Sequence, residues 1–442
     1  MKRIMIFIFL TFSLFAEELQ VHLTTKVPLS IVYLSKVIGS GDFDEGYLSN
    51  VRGVLEYDLN NSGYIYSTRE NKSDAVLAIN DLQKAFNPGY WSKENYSLIV
   101  KLEIQNKKLN VYVFDTLKNK SFAFSTINLI GNLNADRRKI HELNDRILED
   151  FFQKKGYAEK RIIYSVRKEN PQNNHKWTSE IWMCDSDGQN AKQLTFENSY
   201  CVHPLFLSSK KEIPDFIYVS YKDGIPKIYS SKGAKGSKLI SLKGNQLLPA
   251  LSRQKDQITF ICDAAGSPDL FLQKIDKDFN ANGKPLQLYS CARATQATSS
   301  FSPSGKELAF VSDKDGSPRI YLLKIPQSNT NDKRPNAQLI TKKNRDNVTP
   351  SFSSDGTKLA FSATTEGVRQ IWVYDFSTDD EWQLTTGPGN KENPFWADDN
   401  LHIVYNTEDK SSSEMYIINL NQQKPLKISS GLGQKRFPAW ER

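Results

Sequence analysis

The sequence has 442 residues, of which 39% are hydrophobic and 24% are charged, and its mean hydropathy is −0.52. This composition excludes collagen-like, coiled-coil, disordered and multispanning membrane proteins and is typical of globular domains. The length predicts two or three domains, or one domain followed by a repeat array. The net charge of +8 is spread along the chain without a basic tract, so it does not indicate a nucleic-acid partner.

The first 16 residues have the pattern of a secretory signal peptide. Two basic residues precede an apolar run over 4–15, which ends at Ala16 before an acidic pair. This run is shorter than the ~20 residues that a membrane-spanning helix needs. We therefore expect residues 1–16 to be removed, which leaves an exported chain that begins at Glu17 and does not insert into a membrane.

Residues 28–155 mix helix and strand patterns and predict a small α/β domain with a mixed sheet. The alternating and apolar runs predict strands at 29–34, 64–66, 96–104, 109–114 and 122–125, and helical spacing predicts helices at 47–59 and 140–151. The stretch 74–90 fits helix and strand equally well. Residues 17–27 show little periodicity and are expected to form a mobile N-terminal segment.

From residue 161 onward one pattern recurs six times. An aromatic residue stands in a run of β-branched or small residues, at Tyr164, Tyr218, Phe260, Phe310, Phe361 and Tyr405. A second aromatic residue follows in an apolar run, at Trp182, Tyr229, Phe271, Tyr321, Trp372 and Tyr416. The two are 11 residues apart in five of the six copies, which is the spacing of two short strands around a tight turn.

Each copy also contains a short third run and a fourth that begins near a proline. The fourth run starts at Pro204, Pro249, Pro350, Pro394 and Pro438, with Ser299 in the remaining copy. Four strands in a period of about 47 residues predict a propeller over 161–442 with six four-stranded antiparallel blades. An open solenoid is the alternative. The strand order favours a closed ring, because the last strand, 436–440, can complete the first blade and leave no unpaired edge.

The four cysteines, Cys184, Cys201, Cys262 and Cys291, leave two alternatives open. An exported chain permits disulfides, and pairing Cys184 with Cys201 and Cys262 with Cys291 would close two short loops. Buried free thiols, which pack as small hydrophobic groups, are equally compatible with the sequence. The spacing is not that of a C-x-x-C zinc site.

No motif for catalysis, phosphate binding or metal binding occurs, and the five histidines stand far apart. The segments 185–188 and 313–316 resemble the start of a calcium loop. Both lack its closing glutamate, and Asp-Gly is also what a tight hairpin turn demands. The sequence therefore predicts no metal, no cofactor and no enzymatic activity.

The loops that lead into the first strand of each blade are predicted to converge on one face of the ring. His203, directly before Pro204, is the best-placed of these residues for a functional role. Converging loops on a rigid scaffold are the usual binding surface of such folds. A solvated rim without a specific role is the alternative for any single residue.

The exported chain, the small α/β domain and the six-bladed array together resemble the TolB family. Three segments carry the similarity: VRGVLEYDLNNSGYIYS at 51–67, the junction at 156–166, and RFPAW at 436–440. The family's Ser-Pro-Asp-Gly signature after the first strand survives at 302–305 and 353–356 and decays at 397–400. It is missing after Phe206 and Leu251.

The resemblance implies a non-enzymatic periplasmic component of the Tol-Pal system. The propeller loop face would hold the peptidoglycan-associated lipoprotein Pal, and the N-terminal segment and domain would engage TolA. Such a protein takes part in outer-membrane constriction at cell division and in envelope integrity, and we expect a monomer. Residues before the prolines form the predicted partner-binding set: Tyr200, Val202, His203, Asn245, Leu247, Asp346, Val348, Asn390, Glu392 and Arg436.

Two other functions remain open at the level of sequence. An exported propeller hydrolase or lactonase would use the channel mouth, where His203 and scattered aspartates occur. A carbohydrate-binding module would use exposed tryptophan and tyrosine side chains on the blades.

Overall fold

The protein is represented by a computed structural model, which describes residues 28–39, 41–68, 72–84, 86–91, 93–170, 177–209, 211–233, 236–326, 336–409 and 411–442. The predicted signal peptide, 1–16, and the predicted mobile segment, 17–27, lie outside the described residues. Within these ranges, no helix is long and apolar enough to cross a membrane.

The chain first builds a mixed sheet of five strands. The strands are β1 (Ser30–Gly39), β2 (Ile65–Thr68), β3 (Leu98–Gln105), β4 (Lys108–Asp115) and β5 (Lys120–Asn128). Their order in the sheet is β2-β1-β3-β4-β5. β1 runs parallel to β2 and β3, and β3, β4 and β5 form an antiparallel meander.

Helices cover both faces of this sheet. They are α1 (Glu45–Asn61), α2 (Lys72–Lys84), α3 (Pro88–Trp91) and α4 (Leu133–Phe152). The apolar stripes of α1 and α4 pack on one face, and Trp91 of α3 packs against Tyr33 on the other. The ambiguous stretch 74–90 is thus largely helical. It supplies Asp81, which pairs with the buried Lys101 of β3 at 3.1 Å.

The second half of the chain forms six sheets of four strands. In chain order, the strands are β6 (Arg161–Glu169), β7 (Trp177–Asp185), β8 (Lys192–Gln193), β9 (Cys201–Ser208), β10 (Asp215–Ser220), β11 (Lys227–Ser231), β12 (Ser237–Lys238), β13 (Gln246–Leu251), β14 (Gln257–Cys262), β15 (Asp269–Ile275), β16 (Ala281–Tyr289), β17 (Gln296–Phe301), β18 (Glu307–Ser312), β19 (Arg319–Lys324), β20 (Gln338–Leu339), β21 (Asn347–Phe352), β22 (Lys358–Thr365), β23 (Val368–Asp375), β24 (Asp380–Gln383), β25 (Asn390–Trp396), β26 (His402–Glu408), β27 (Met415–Asn419), β28 (Leu426–Lys427) and β29 (Gln434–Trp440). Each sheet is one blade, with antiparallel neighbours throughout.

The recurring aromatic residues are direct cross-strand partners in every blade. Tyr164 faces Trp182 and Phe260 faces Phe271, and the other four predicted pairs stand in the same register. Opposed side chains on neighbouring strands lie about 4.5–5.5 Å apart at Cβ, so each pair joins the second and third strands within the apolar layer between blades. The predicted spacing of 11 residues therefore reports a strand register.

The C-terminal strand closes the ring, as predicted. β29 pairs antiparallel with β6, and the innermost strands contact one another in turn from β9 through β25 to β29 and back to β9. Arg161 and Glu441 lock this joint with a buried ion pair of 2.8 Å. The closed propeller is confirmed, and the open solenoid is wrong because the strand pairing leaves no free end.

The turn after the first strand keeps its geometry where the sequence signature is lost. Ser302 and Ser353 each close this turn by accepting a hydrogen bond from the backbone N–H five residues on. Ser252 does the same with Gln257 at 3.0 Å, although no glycine follows it. Lys255 there takes the left-handed backbone that glycine favours, with φ 60°.

The α/β domain rests on one end of the propeller, which we call the domain face. This end consists of turns such as 185–190, 397–402 and 419–424. His402 Nε2 lies 2.8 Å from the carbonyl oxygen of Asn61, and the Tyr157 ring packs between His402 and Trp440. These contacts join α1 and the chain after α4 to the last blade and to the closing strand β29.

All four cysteines are free thiols, so the disulfide pairs that the sequence left open as one of two alternatives do not form. Cys184 lies at the domain-face end of β7, whereas Cys201 begins β9 at the opposite end of the propeller. Cys262 ends β14, and Cys291 follows the end of β16, with β15 between these two strands. Two strand spacings of about 4.8 Å exceed the ~7 Å limit for a disulfide. Burial raises the pKa of the Cys184, Cys201 and Cys262 thiols.

Candidate functional site

The predicted partner-binding residues all lie at the end of the propeller opposite the domain face. We call this end the open face; it comprises the starts of the innermost strands and the turns 221–226, 263–268, 313–318 and 366–367. Tyr200, Asn245 and Asp346 directly precede innermost strands, and the other seven lie within the first four residues of one. The ring brings residues nearly 240 positions apart in sequence onto one surface.

The innermost strands are bulged just inside the open face. In all six blades, one extra residue stands between two ladder pairs. In the five blades with a proline, the residue before it adopts left-handed backbone with φ of 51–55°: His203, Leu248, Thr349, Asn393 and Phe437. Such non-glycine conformations cost of order 1–3 kcal/mol each and are held by the surrounding fold. Bulges re-aim side chains, which separates the open-face residues from the regular ladder below them.

Arg369 ties three of the predicted residues together. Its backbone N–H donates to Asn390 Oδ1 at 2.9 Å, and its guanidinium lies 3.3 Å from Asp346 Oδ2 and 3.6 Å from Glu392 Oε1. Sequence reasoning missed Arg369 because it searched only the loops before the first strands. The available signal was its position two residues after Gly367, at the start of a third strand that begins at the same end of the blade.

Two further groups hold open-face residues in place. Asn245 donates to Asp263 through both its backbone N–H, at 2.7 Å, and its side-chain Nδ2, at 2.6 Å. Arg436 forms an ion pair with Glu408, and burial together with the nearby Arg167 lowers the pKa of its guanidinium. A surface with its side chains already fixed loses less entropy when it binds.

His203 does not stand in an exposed loop as predicted. It lies within β9, its ring packs against that of Phe437 at a centroid distance of 3.8 Å and a tilt of 31°, and its Nδ1 is buried. Burial lowers the pKa of His203 to about 3, so the ring is neutral at physiological pH. Because of the bulge, β9 stays paired with β10 on the N-terminal side of Pro204. His203 therefore lies in the wall of the central channel.

Val202 is likewise misplaced by the prediction. Its side chain is 4% exposed and packs in the apolar cluster between neighbouring blades. Alternate residues of a strand point to opposite faces, so of the adjacent candidates Val202 and His203 one must point into the apolar layer between blades. Leu247 and Val348 are half-buried against the same kind of cluster, whereas Tyr200 contacts Tyr221 edge-on at the surface.

The central channel contains a cavity of about 130 Å³ lined by all six innermost strands. The end of the cavity near the domain face is lined by Arg253, Lys255 and Arg442. The Arg253 guanidinium forms an ion pair with Asp398 at 3.3 Å. Burial lowers the pKa of Lys255 to about 8. The described residues that line this cavity include no aspartate or glutamate, so a carboxylate acid–base pair is not assembled there.

These features define a class: a closed six-bladed β-propeller with an N-terminal α/β domain docked on one face and a polar, pre-organised surface on the other. The family profile described as the TolB beta propeller domain matches residues 148–442. Among solved structures, the crystal structure of TolB from Acinetobacter baumannii aligns with a TM-score of 0.75 at 21% identity. The alignment covers 93% of this chain and 96% of that one.

Curated relatives are similar over most of their length. The Protein TolB homolog of Protochlamydia amoebophila is 43% identical over 391 residues, which is 87% of this chain and 83% of the relative. That of Chlamydia pneumoniae is 37% identical over 353 residues, 79% of this chain and 80% of the relative. The chain belongs to the TolB family.

Proposed function

We propose that this protein is a non-enzymatic periplasmic scaffold of the Tol-Pal system. Its open face binds the peptidoglycan-associated lipoprotein, and its N-terminal region binds TolA. In this role it supports outer-membrane constriction at cell division and the integrity of the envelope. The observation that carries the proposal is that the α/β domain lies on one end of the propeller and that, among the described residues, none of this domain covers the opposite end.

The chemistry of the open face suits a protein partner. Arginine and aromatic side chains are enriched in the centres of interfaces, and Arg369, Arg436 and Tyr200 stand on this face, half-buried and held by neighbours. The polar network around Arg369 offers charged groups of both signs, which favours orientation and selectivity in an encounter. Membership of the TolB family supports the same partners.

The two alternative functions have less support in the structure. A hydrolase or lactonase at the channel mouth needed His203 as a base beside carboxylates, but His203 is neutral against Phe437 and the described cavity lining holds no carboxylate. A carbohydrate-binding module needed exposed aromatic side chains. Every described tryptophan and tyrosine of the propeller is buried or half-buried.

The lipoprotein arm of the proposal is tested by calorimetric titration with the purified lipoprotein. Asn245→Ala combined with Asp346→Asn removes two predicted contacts, and Arg369→Ala disconnects the network. We expect each protein to bind about tenfold more weakly, which corresponds to about 1.4 kcal/mol, with unchanged far-ultraviolet circular dichroism. The matched control is Arg253→Ala, an arginine of similar exposure in the channel near the domain face, at 35% against 29%. Equal losses in Arg253→Ala and Arg369→Ala would contradict the open-face site.

The TolA arm is tested separately. Deletion of residues 17–27 from the exported chain is expected to weaken binding to purified TolA and to leave the affinity for the lipoprotein unchanged. Unchanged TolA binding would move that contact to the folded α/β domain.

A further inference from the structure

A histidine and two aspartates meet at the joint between the two domains. His141 comes from α4 of the α/β domain, Asp185 ends β7, and Asp187 lies in the following turn of the propeller. One ligand atom from each lies within 4.8 Å of the others. His141 is 1% exposed and Asp185 is 9% exposed, so water has little access to the cluster.

The orientation of the His141 ring is fixed from behind. Its Nδ1 lies 2.6 Å from Asp58 Oδ2 on α1, which leaves Nε2 aimed at the propeller. Nε2 is buried without a hydrogen-bond partner among the described residues, and it lies 3.8 Å from Asp187 Oδ2. An unsatisfied buried polar group costs about 1–3 kcal/mol. In metal sites, a carboxylate that binds one ring nitrogen of a histidine orients the ring so that its other nitrogen can bind the metal. Asp58 at Nδ1 and the unpartnered Nε2 have this arrangement.

The charges around this nitrogen do not balance. Three carboxylates, Asp58, Asp185 and Asp187, face one guanidinium, that of Arg137, which lies 2.5 Å from Asp187. The cluster therefore favours an additional positive charge.

We propose that His141, Asp185 and Asp187 bind one divalent transition-metal ion, zinc by preference, which joins the α/β domain to the propeller. One imidazole nitrogen and two carboxylates form a donor set that zinc accepts, with water as the fourth ligand. Zinc bonds of 2.0–2.2 Å place tetrahedral ligands about 3.4 Å apart, so donors that now lie within 4.8 Å of one another need to close by at most about 1.4 Å. When the metal binds, the Arg137 guanidinium moves away from Asp187 Oδ2, and this oxygen becomes the metal ligand. Asp187 Oδ1 keeps the hydrogen bond of 3.0 Å that it accepts from the Gln189 N–H.

The second buried histidine of the joint shows why this one is distinct. His402 also has a carboxylate behind it, with Asp399 Oδ2 2.5 Å from Nδ1. Its Nε2, however, lies 2.8 Å from the Asn61 carbonyl oxygen and is already satisfied. Only at His141, of these two, does the inner nitrogen face carboxylates from the other domain. The inference is independent of the partners proposed above.

The test is a titration of the purified full chain with zinc chloride alone, after treatment with a chelator and dialysis, against a chromogenic competitor. We expect one zinc per chain. Asp185→Asn and His141→Gln should each weaken its binding at least tenfold. The matched control is Asp375→Asn, because Asp375 ends β23 as Asp185 ends β7 and pairs with Lys358 at 3.1 Å.

Two measurements on the unaltered protein keep the test independent of variant folding. At free zinc one hundred times its Kd, the unfolding equilibrium constant in urea should fall about a hundredfold. The nitrogen-15 resonance of one histidine Nε2 should shift when zinc is added. The proposal is overturned if no stoichiometric zinc binds, or if binding survives undiminished in both variants. It is also overturned if stability responds to pH but not to zinc, since the cluster would then hold only a proton.

Discussion

Both ends of the propeller are formed by the same six repeated blades, but the side chains at the two ends contact different parts of the chain. On the domain face, buried pairs such as His402 with Asn61 and Arg137 with Asp187 reach across to the α/β domain. On the open face, Arg369 and Arg436 contact only residues of the propeller itself among those described, and remain partly exposed. One end thus contacts the α/β domain of the same chain, and the other is the end at which we propose that a partner binds.

The largest expected effect concerns the strand that closes the ring. Arg161→Ala leaves Glu441 buried without its cation and removes bonds from the guanidinium to the carbonyls of Ser209 and Glu212, at 3.0 and 2.8 Å. Loss of one partner of a buried ion pair typically costs 3–5 kcal/mol. Urea unfolding should show this loss. Lys192→Ala is the control, because its pair with Glu212 is exposed and should contribute less than about 1 kcal/mol. Equal losses in the two variants would mean that the ring does not depend on this joint.

A comparison of aromatic side chains at the two ends is expected to give the next largest effect. Tyr157 is 4% exposed and packs between His402 and Trp440 at the domain face. Tyr157→Ala should therefore lower the free energy of unfolding by about 3 kcal/mol. Tyr221 on the open face is only half-buried, so Tyr221→Ala should lower it by about 1 kcal/mol. Chemical unfolding followed by tryptophan fluorescence measures both. A larger loss in Tyr221→Ala would reverse the assignment of the two faces.

The open face also has a pH signature. His203 has a folded-state pKa of about 3, against about 6.5 when unfolded. Below pH 6.5 the unfolded chain takes up a proton that the folded chain does not. The stability that this residue contributes therefore decreases as the pH is lowered below 6.5, by up to about 1.4 kcal/mol per pH unit. Between pH 7 and pH 5, the unaltered protein should lose about 2 kcal/mol more than His203→Asn does, because asparagine tolerates the left-handed backbone. Parallel stability curves would show that His203 is solvated.

Local spacing was enough to predict the propeller. The aromatic pairs such as Phe260 and Phe271, 11 residues apart, are separated by one tight hairpin, so their distance in sequence fixes the strand register. The closing role of 436–440 followed from counting strands. The left-handed bulge at His203 was not predictable, because a proline marks a strand start without stating the backbone angle before it.

Contacts between distant segments were the part that sequence could not supply. Asn61 and His402 are 341 residues apart, and nothing in either segment marks the other. The segment 185–188 resembles the start of a calcium loop, but nothing in the sequence marks His141 as its neighbour, because the two come from different domains. Arg369 was missed for a related reason, since the start of β23, which carries it, lies beside the loops before the innermost strands only after the blades have folded.

The central claim is that the open face, and not the domain face, receives the lipoprotein. Hydrogen exchange of the full chain, measured with and without saturating purified lipoprotein, tests it most directly. We predict slower exchange in the open-face turns 221–226, 263–268, 313–318 and 366–367, with unchanged exchange in the domain-face turns 185–190, 397–402 and 419–424. Protection confined to the domain-face turns, with the open-face turns unchanged, would contradict the account.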